Sequence, residues 1–62
     1  MENLKIGDRV RTFVNDFDPE LDKQEGIIVS AGILFYKVKL DIPVDGRDIW
    51  PYMPDELEKL PE

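Results

Sequence analysis

The chain has 62 residues, a formal net charge of −6, and neither cysteine nor histidine. A domain of this size buries only about 60 % of the surface that its unfolded chain exposes, so its core is small. The missing residue types exclude disulfides, zinc sites of the Cys/His kind, and catalysis by a thiol or an imidazole.

The acidic balance also limits the partners, with fourteen acidic residues against eight basic ones. Proteins that bind nucleic acid or anionic membranes usually carry a basic face, so neither partner is expected. Solubility alone explains a net charge of this size. The same charge permits an acidic decoy, in which segments 16–25 and 55–62 occupy a basic site on a nucleic-acid-handling protein.

The N-terminal segment 1–7 lacks the basic start and apolar stretch of a signal peptide. No apolar run has the length of a transmembrane helix. We therefore expect a cytoplasmic protein.

The first predicted strand covers residues 8–14, and a long acidic loop follows over 15–25. One face of that strand holds Val10, Thr12 and Val14. The loop has room for a single helical turn at 19–22, with Asp18 as its N-cap.

Two further strands form a predicted hairpin around Ala31 and Gly32, over residues 26–31 and 33–41. The third strand has the clearest alternation in the chain. One face holds Leu34, Tyr36, Val38 and Leu40; the other holds Phe35, Lys37 and Lys39.

A loop over 42–46 with an Asp45-Gly46 turn leads to a short fourth strand, 47–50, which Pro51 is expected to end. Residues 53–57 predict one helical or 3-10 turn that Pro54 opens. The last strand is predicted over 57–60.

These elements predict an all-β fold: a five-stranded SH3-like small barrel, with one long acidic loop and a short 3-10 turn before the last strand. The barrel is a single domain over residues 1–62. Its predicted core consists of Ile6, Val10, Val14, Ile27, Val29, Tyr36, Val38, Leu40, Ile49 and Leu57.

Short motifs follow one another along the chain: Gly7-Asp8-Arg9-Val10-Arg11, Gly26-Ile27-Ile28-Val29, Tyr36-Lys37-Val38, Ile49-Trp50-Pro51 and Leu57-Glu58. In this order they resemble the plasmid-encoded, trimethoprim-insensitive dihydrofolate reductases, which are SH3-like chains of similar size. The resemblance implies the barrel fold. It also implies a reductase that works as a tetramer around a pore.

That family uses a Gln-Ile-Tyr stretch in the pore, and a Lys just after the basic pair of its first strand. Here Asp48 and Trp50 stand at the Gln and Tyr positions, Thr12 stands at the Lys position, and only Ile49 carries over. A pore lined by Asp48 would repel an anionic folate. The resemblance therefore implies the fold rather than the activity, and we expect no enzyme and no cofactor.

Two weaker likenesses imply the same fold. The opening Gly7 to Val10 and the ending Asp55-Glu56-Leu57-Glu58 resemble the small SH3-like subunit of photosystem I. Tyr52-Met53-Pro54 is similar to the Tyr-x-Pro ending of peptide-binding SH3 domains, although this chain has no tryptophan at the place where those domains carry theirs.

Phe35, Trp50 and Tyr52 are the candidate partner-binding residues. Phe35 lies opposite the main core stripe, and Trp50 alternates out of phase with Ile49, so these aromatics are expected on the outside of the barrel. Trp and Tyr are enriched at interface hot spots. The alternative is that they cover the barrel ends beneath the loops.

Arg9, Arg11, Lys37 and Lys39 fall on outward strand faces and could form a basic patch. The favoured interpretation is that acids such as Asp8, Asp41 and Asp48 pair with them across strands. The carboxylates Asp16, Asp18, Glu20 and Asp22 alternate along the acidic loop, but the pattern of a calcium loop fails, so no metal site is assigned.

The sequence therefore predicts a small non-catalytic protein-interaction module or accessory subunit. It would bind a protein partner, or a second copy of itself, through the outer aromatic patch. The acidic decoy is the alternative, and a pore-type reductase comes third.

Overall fold

The structure is a computed structural model that describes residues 4–13 and 19–61. It contains five strands and two 3-10 helices: β1 (Arg9–Thr12), η1 (Pro19–Leu21), β2 (Glu25–Ala31), β3 (Tyr36–Val44), β4 (Arg47–Tyr52), η2 (Pro54–Glu56) and β5 (Leu57–Lys59). All neighbouring strands are antiparallel, in the order β4-β3-β2-β1-β5. The sheet is open, with β4 and β5 at its edges.

The all-β prediction is confirmed, and so are the hairpin of β2 with β3 and the 3-10 turn before β5. The 3-10 turn has a local cause. Pro54 presets its first position, and the Met53 N–H donates to Glu56 Oε1 at 2.9 Å, as in a capping box. The predicted strand residue Val14 and the predicted N-cap Asp18 lie outside the described residues.

The predicted loop over 42–46 is wrong, because β3 continues to Val44. Asp45 and Gly46 alone form the turn, with φ of 52° and 74°. Two successive residues with positive φ are typical of the tight turn whose twist matches a hairpin. Pro43 is tolerated in β3 because the register is interrupted between Lys39 and Val44.

Strand β4 also continues past its predicted end, through Pro51 to Tyr52. Pro51 stands opposite Lys37. Proline has no N–H to donate, so this pair is a non-hydrogen-bonded one, and the pairs on either side carry the ladder. Pro51 can therefore lie inside the edge strand without leaving a bond to β3 unmade.

The core is one cluster beneath the sheet. Its buried apolar residues are Val10, Ile28, Val38, Leu40, Val44 and Tyr52; Leu4, Leu21, Tyr36, Trp50 and Leu57 pack against it. Of the predicted core, Val10, Val38 and Leu40 are confirmed as buried, and Tyr36 and Leu57 as half-buried. Ile6 is exposed, because it precedes the first strand.

In β2 the predicted inward face is wrong. Ile28 is fully buried, whereas Ile27 and Val29 are exposed. A run of apolar residues indicates a strand but does not say which alternate set faces inward. Gly26 helps to fix the phase, since its side of β2 lies against the backbone of β3: a Cβ there would stand 2.3 Å from the Lys39 carbonyl oxygen.

In β4 the predicted phase is also wrong. Val38 pairs with Trp50 and Tyr36 with Tyr52, and directly paired residues share a face of the sheet. Because Val38 is in the core, Trp50 and Tyr52 lie on the core side, and Ile49 shares the outer face with Lys39. Accordingly Tyr52 is 1 % exposed and Ile49 is 41 % exposed.

Gly26→Ala tests the close approach of β2 to β3. The added methyl group cannot avoid the Lys39 carbonyl oxygen without moving backbone. We expect the free energy of unfolding to fall by about 2 kcal/mol or more in urea denaturation. The matched control is Gly46→Ala, where a Cβ meets nothing within 4 Å and only the positive φ is strained, at a cost of about 1 kcal/mol. Equal losses in both variants would contradict the packing argument.

Candidate interaction surfaces

The three predicted partner-binding aromatics do not lie together. Tyr52 is buried in the core, and its hydroxyl group donates to the Leu21 carbonyl oxygen at 3.2 Å. Burial raises the pKa of the Tyr52 phenol. The placement of Tyr52 on the outside was therefore wrong, because its pairing with Tyr36 turns it inward.

Trp50 is half-buried and packs against the core. It also makes two contacts with Arg47. The Trp50 indole N–H donates to the Arg47 carbonyl oxygen at 2.9 Å, and the Arg47 guanidinium lies 4.4 Å from the ring centroid. This cation–π contact holds Arg47 in place at the start of β4.

Phe35 is 51 % exposed and belongs to a different surface, the turn between β2 and β3. It follows Ile33, which is 98 % exposed, and Leu34, which is 71 % exposed. We call residues 33–35 the apolar tip. The Gly32 N–H donates to the Phe35 carbonyl oxygen at 2.9 Å and closes the turn beneath the tip.

Sequence reasoning found only Phe35 of the apolar tip. The alternation places Leu34 on the same strand face as Tyr36, Val38 and Leu40, but β3 begins at Tyr36, so the alternation in the sequence extends beyond the strand. A usable signal was present: three large apolar residues directly follow a turn glycine, where chains are normally polar.

A shallow groove with a volume of about 430 Å³ lies along the outer side of β4. Its lining residues are Lys37, Gly46, Arg47, Asp48, Ile49 and Pro51. We call it the cationic groove, since two cations and one carboxylate border an aliphatic floor. It was missed in the sequence because Lys37 and Arg47 are brought together only by the pairing of β3 with β4.

The predicted basic patch is divided. Arg9 contacts Asp41 at 2.6 Å and Glu25 at 3.6 Å, and Arg11 contacts Glu25 at 2.9 Å. The expectation of cross-strand ion pairs is confirmed for these two arginines, with Glu25 as an unforeseen partner. Asp8 pairs instead with Lys59, at 3.7 Å. Lys37 and Lys39 have no ion pair within residues 4–13 and 19–61.

The described part of the acidic loop is fastened to the sheet by one buried hydroxyl group. The Thr12 side chain is fully buried; its Oγ1 donates to the Leu21 carbonyl oxygen at 2.6 Å and accepts the Gln24 N–H at 2.9 Å. Backbone bonds from the Lys23 N–H to the Thr12 carbonyl oxygen and from the Thr12 N–H to the Gln24 carbonyl oxygen, both 2.7 Å, reinforce it. Thr12 therefore has a structural role.

Among the described residues, no group of three or more carboxylates is arranged to hold a metal ion. Asp16 and Asp18 of the alternating acidic series lie outside those residues. Within the same part of the chain, no helix is long and apolar enough to cross a membrane.

Comparison with known proteins assigns no family. No family model matches the sequence, and no curated protein and no solved structure is significantly similar to it. The likenesses to the dihydrofolate reductases, the photosystem subunit and the SH3 domains remain predictions drawn from short motifs.

Thr12→Val tests the buried hydroxyl group. Valine keeps the shape but leaves the Gln24 N–H without its acceptor, so we expect a loss of about 1–3 kcal/mol in the free energy of unfolding. The Gln24 amide should also exchange with solvent faster. Thr12→Ser keeps the hydroxyl group and should preserve slow exchange at Gln24. Fast exchange in the serine variant as well would show that side-chain volume, not the hydrogen bond, holds the loop.

Asp41→Asn tests the pairing with Arg9. The hydrogen bond from Arg9 holds the pKa of the Asp41 carboxyl below its ordinary value of 3.8. A lowered folded-state pKa stabilises the fold above the unfolded-state pKa, and this stabilisation is lost as the pH falls through the folded-state value. Asp41→Asn should therefore be slightly less stable than the wild type at neutral pH, and the difference should close as the pH falls through the lowered pKa of Asp41.

The measurement is urea denaturation of both proteins across the acid range. The same substitution in an Arg9→Gln background should have no effect at any pH. If the difference in the free energy of unfolding persists at low pH or in the Arg9→Gln background, Asp41 stabilises the fold through an interaction other than its ion pair with Arg9.

Proposed function

We propose that the chain is a non-catalytic protein-interaction module, an SH3-like small barrel that binds a protein partner through its apolar tip. The observation that carries the proposal is the exposure of three consecutive large apolar side chains, Ile33, Leu34 and Phe35, at 98 %, 71 % and 51 %. Single exposed apolar residues are ordinary on protein surfaces, but a contiguous run of them is a liability unless it serves binding.

The barrel component of the proposal is supported by the strand order. Three strands form a meander, β2-β3-β4, and the last strand returns beside the first after a 3-10 turn. The Phe13 N–H donates to the Glu56 carbonyl oxygen at 2.7 Å, and the Leu60 N–H donates to the Arg9 carbonyl oxygen at 2.8 Å. These bonds continue the β1–β5 pairing past both ends of β5.

Energetics favour burial of the tip in a complex. Removal of one large apolar side chain from water contributes about 1.5–3 kcal/mol, so three together can drive a specific contact. The hydrogen bond between Gly32 and Phe35 orders the turn in advance, which lowers the entropic cost of binding. A Cβ at position 32 would lie 2.8 Å from the Phe35 carbonyl oxygen, so glycine suits this closure.

The charge pattern indicates the kind of partner. No charged residue occurs between positions 30 and 36, although charged residues make up 35 % of the chain. The tip therefore suits a concave apolar surface on another protein. Of the three predicted aromatics, only Phe35 belongs to this surface, and a binding role for Trp50 and Tyr52 remains a prediction.

The acidic decoy remains the alternative. Glu25, at the end of one of its two segments, is engaged by Arg9 and Arg11 and is to that extent neutralised. Binding to a basic partner that weakens steeply with added salt would favour the decoy over the apolar tip.

Leu34→Ser tests the proposal, with Ile42→Ser as a matched control. Leu34 and Ile42 are 71 % and 69 % exposed, but Ile42 lies on β3 away from the tip. The immobilised wild-type chain and both variants are compared for the proteins that they retain from a cell extract, and for self-association by light scattering over a concentration series.

We expect a species that the wild type and Ile42→Ser retain and that Leu34→Ser loses by about tenfold, the effect of removing one buried apolar anchor. Thermal unfolding should be alike in all three, because neither side chain is in the core. Retention that does not distinguish the two variants would overturn the assignment of the tip as the binding surface.

A further inference from the structure

We propose that the cationic groove is a second binding site, which takes an extended peptide segment of a protein partner with the pattern acidic–x–aliphatic–x–acidic. The site lies on β3 and β4 and shares no residue with the apolar tip. The proposal for the cationic groove would therefore remain valid even if variants of the apolar tip bound partners as the wild type does.

The charges of the groove are unbalanced. Arg9 and Arg11 are engaged by carboxylates on β2 and β3. Lys37 and Arg47 have no carboxylate within ion-pair distance in the described part of the chain, and Asp48 is the one acidic residue that lines the groove. In a chain of net charge −6, this local excess of positive charge is complementary to an acidic ligand.

Arg47 is organised before any ligand arrives. Its guanidinium stacks on the Trp50 ring at 4.4 Å, and the Trp50 indole N–H holds the Arg47 carbonyl oxygen at 2.9 Å. Stacking leaves the edge of the guanidinium available, and that edge can bind a carboxylate with two parallel hydrogen bonds. Little side-chain entropy remains to be lost on binding.

The edge of the sheet favours an extended ligand. Within the described residues, strand β4 has a neighbouring strand on one side only. Because Lys37 and Pro51 form a non-hydrogen-bonded pair, so do Lys39 and Ile49, and the N–H and C=O groups of Ile49 point away from β3. An added strand can form hydrogen bonds with Ile49 there. At Pro51, two residues further along β4, it would find a carbonyl acceptor but no N–H donor.

The spacing of the lining residues gives the pattern. Arg47, Ile49 and Pro51 are the exposed residues of β4 and alternate with Asp48, Trp50 and Tyr52, which are half-buried or buried. All three line the groove, and Lys37 stands opposite Pro51 on β3. Arg47 and Pro51 are four residues apart, about 13 Å in an extended strand. An added strand would place one side chain beside Arg47, the side chain two residues further on beside Ile49, and the side chain four residues further on beside Pro51. From Pro51 a long acidic side chain can reach toward Lys37, which stands opposite Pro51 on β3. These positions suit an acid, an aliphatic residue and an acid.

The same cations could attract nucleic acid, but the surroundings favour a peptide. The floor of the groove is formed by Ile49 and Pro51, which give bases no aromatic surface on which to stack. The exposed face of Trp50 is covered by Arg47. Arg9 and Arg11, which could have extended a phosphate track, are neutralised.

Trp50 provides the readout, because it is the only tryptophan in the chain and contacts Arg47. The probe is a terminally blocked peptide of sequence Gly-Glu-Thr-Val-Thr-Glu-Gly. We expect it to change the Trp50 fluorescence saturably, and to shift the amide resonances of Arg47 and Ile49 but not those of the apolar tip. The charge-reversed peptide, with Lys for both Glu, should have no effect.

Lys37→Glu should weaken this binding by about tenfold or more, since an attractive contact becomes a repulsive one. The matched control is Lys23→Glu, an exposed cation beside β1 that changes the net charge equally and should leave the affinity within about twofold. Lys37→Gln, which introduces no new charge, should lie between them, and thermal unfolding verifies that each variant folds.

Three results would overturn the proposal: no saturable binding of the acidic peptide, equal weakening by Lys37→Glu and Lys23→Glu, or equal binding of the charge-reversed peptide. Tighter binding of a single-stranded oligothymidylate would assign the groove to nucleic acid instead. Equal affinity for free glutarate would reduce it to a site for small carboxylates.

Discussion

The buried hydroxyl group of Thr12 is the contact on which the rest of the arrangement depends. It is a donor to Leu21 and an acceptor for Gln24 at once, so a single side chain fixes both ends of the segment that leads into β2. The Tyr52 hydroxyl reaches the same Leu21 carbonyl oxygen from β4. Strands β1 and β4 are not neighbours in the sheet, and this shared acceptor connects them beneath it. In so small a core, such a satisfied polar cluster also specifies one packing among several.

The anchoring of Tyr52 has consequences on the outer surface. With Tyr52 and Trp50 turned toward the core, Ile49 and Pro51 must face outward, beside Lys37 and Lys39. The surface chemistry of β4 thus follows from its buried face. Strand β1 lies two strands away from β3 and β4 or further, and its Arg9 and Arg11 already form ion pairs with carboxylates. Lys37, Lys39 and Arg47 on β3 and β4, by contrast, form no ion pair within the described residues.

The sequence was a good guide to the elements and a poor guide to their faces. The hairpin of β2 and β3 and the 3-10 turn at Pro54 could be predicted because each depends on a few adjacent residues, such as a turn glycine or a proline. The inward faces of β2 and β4 do not. Ile27-Ile28-Val29 and Ile49-Trp50 are apolar at successive positions, so either phase would bury apolar side chains. Pairing with β3, whose alternation of apolar and polar residues is clear, determines which residues of β2 and β4 face the core.

The sequence by itself determined the acidic charge, the lack of cysteine and histidine, the all-β class and the approximate places of the turns, because these depend on composition or on a few adjacent residues. It also contained the exposed run at residues 33–35, although the alternation of β3 masked its meaning. Only the tertiary structure decided that Tyr52 is buried and that Lys37 and Arg47 share a groove. The physical reason is that both facts depend on the register between strands, which is set by packing across the whole sheet and cannot be read from any one segment.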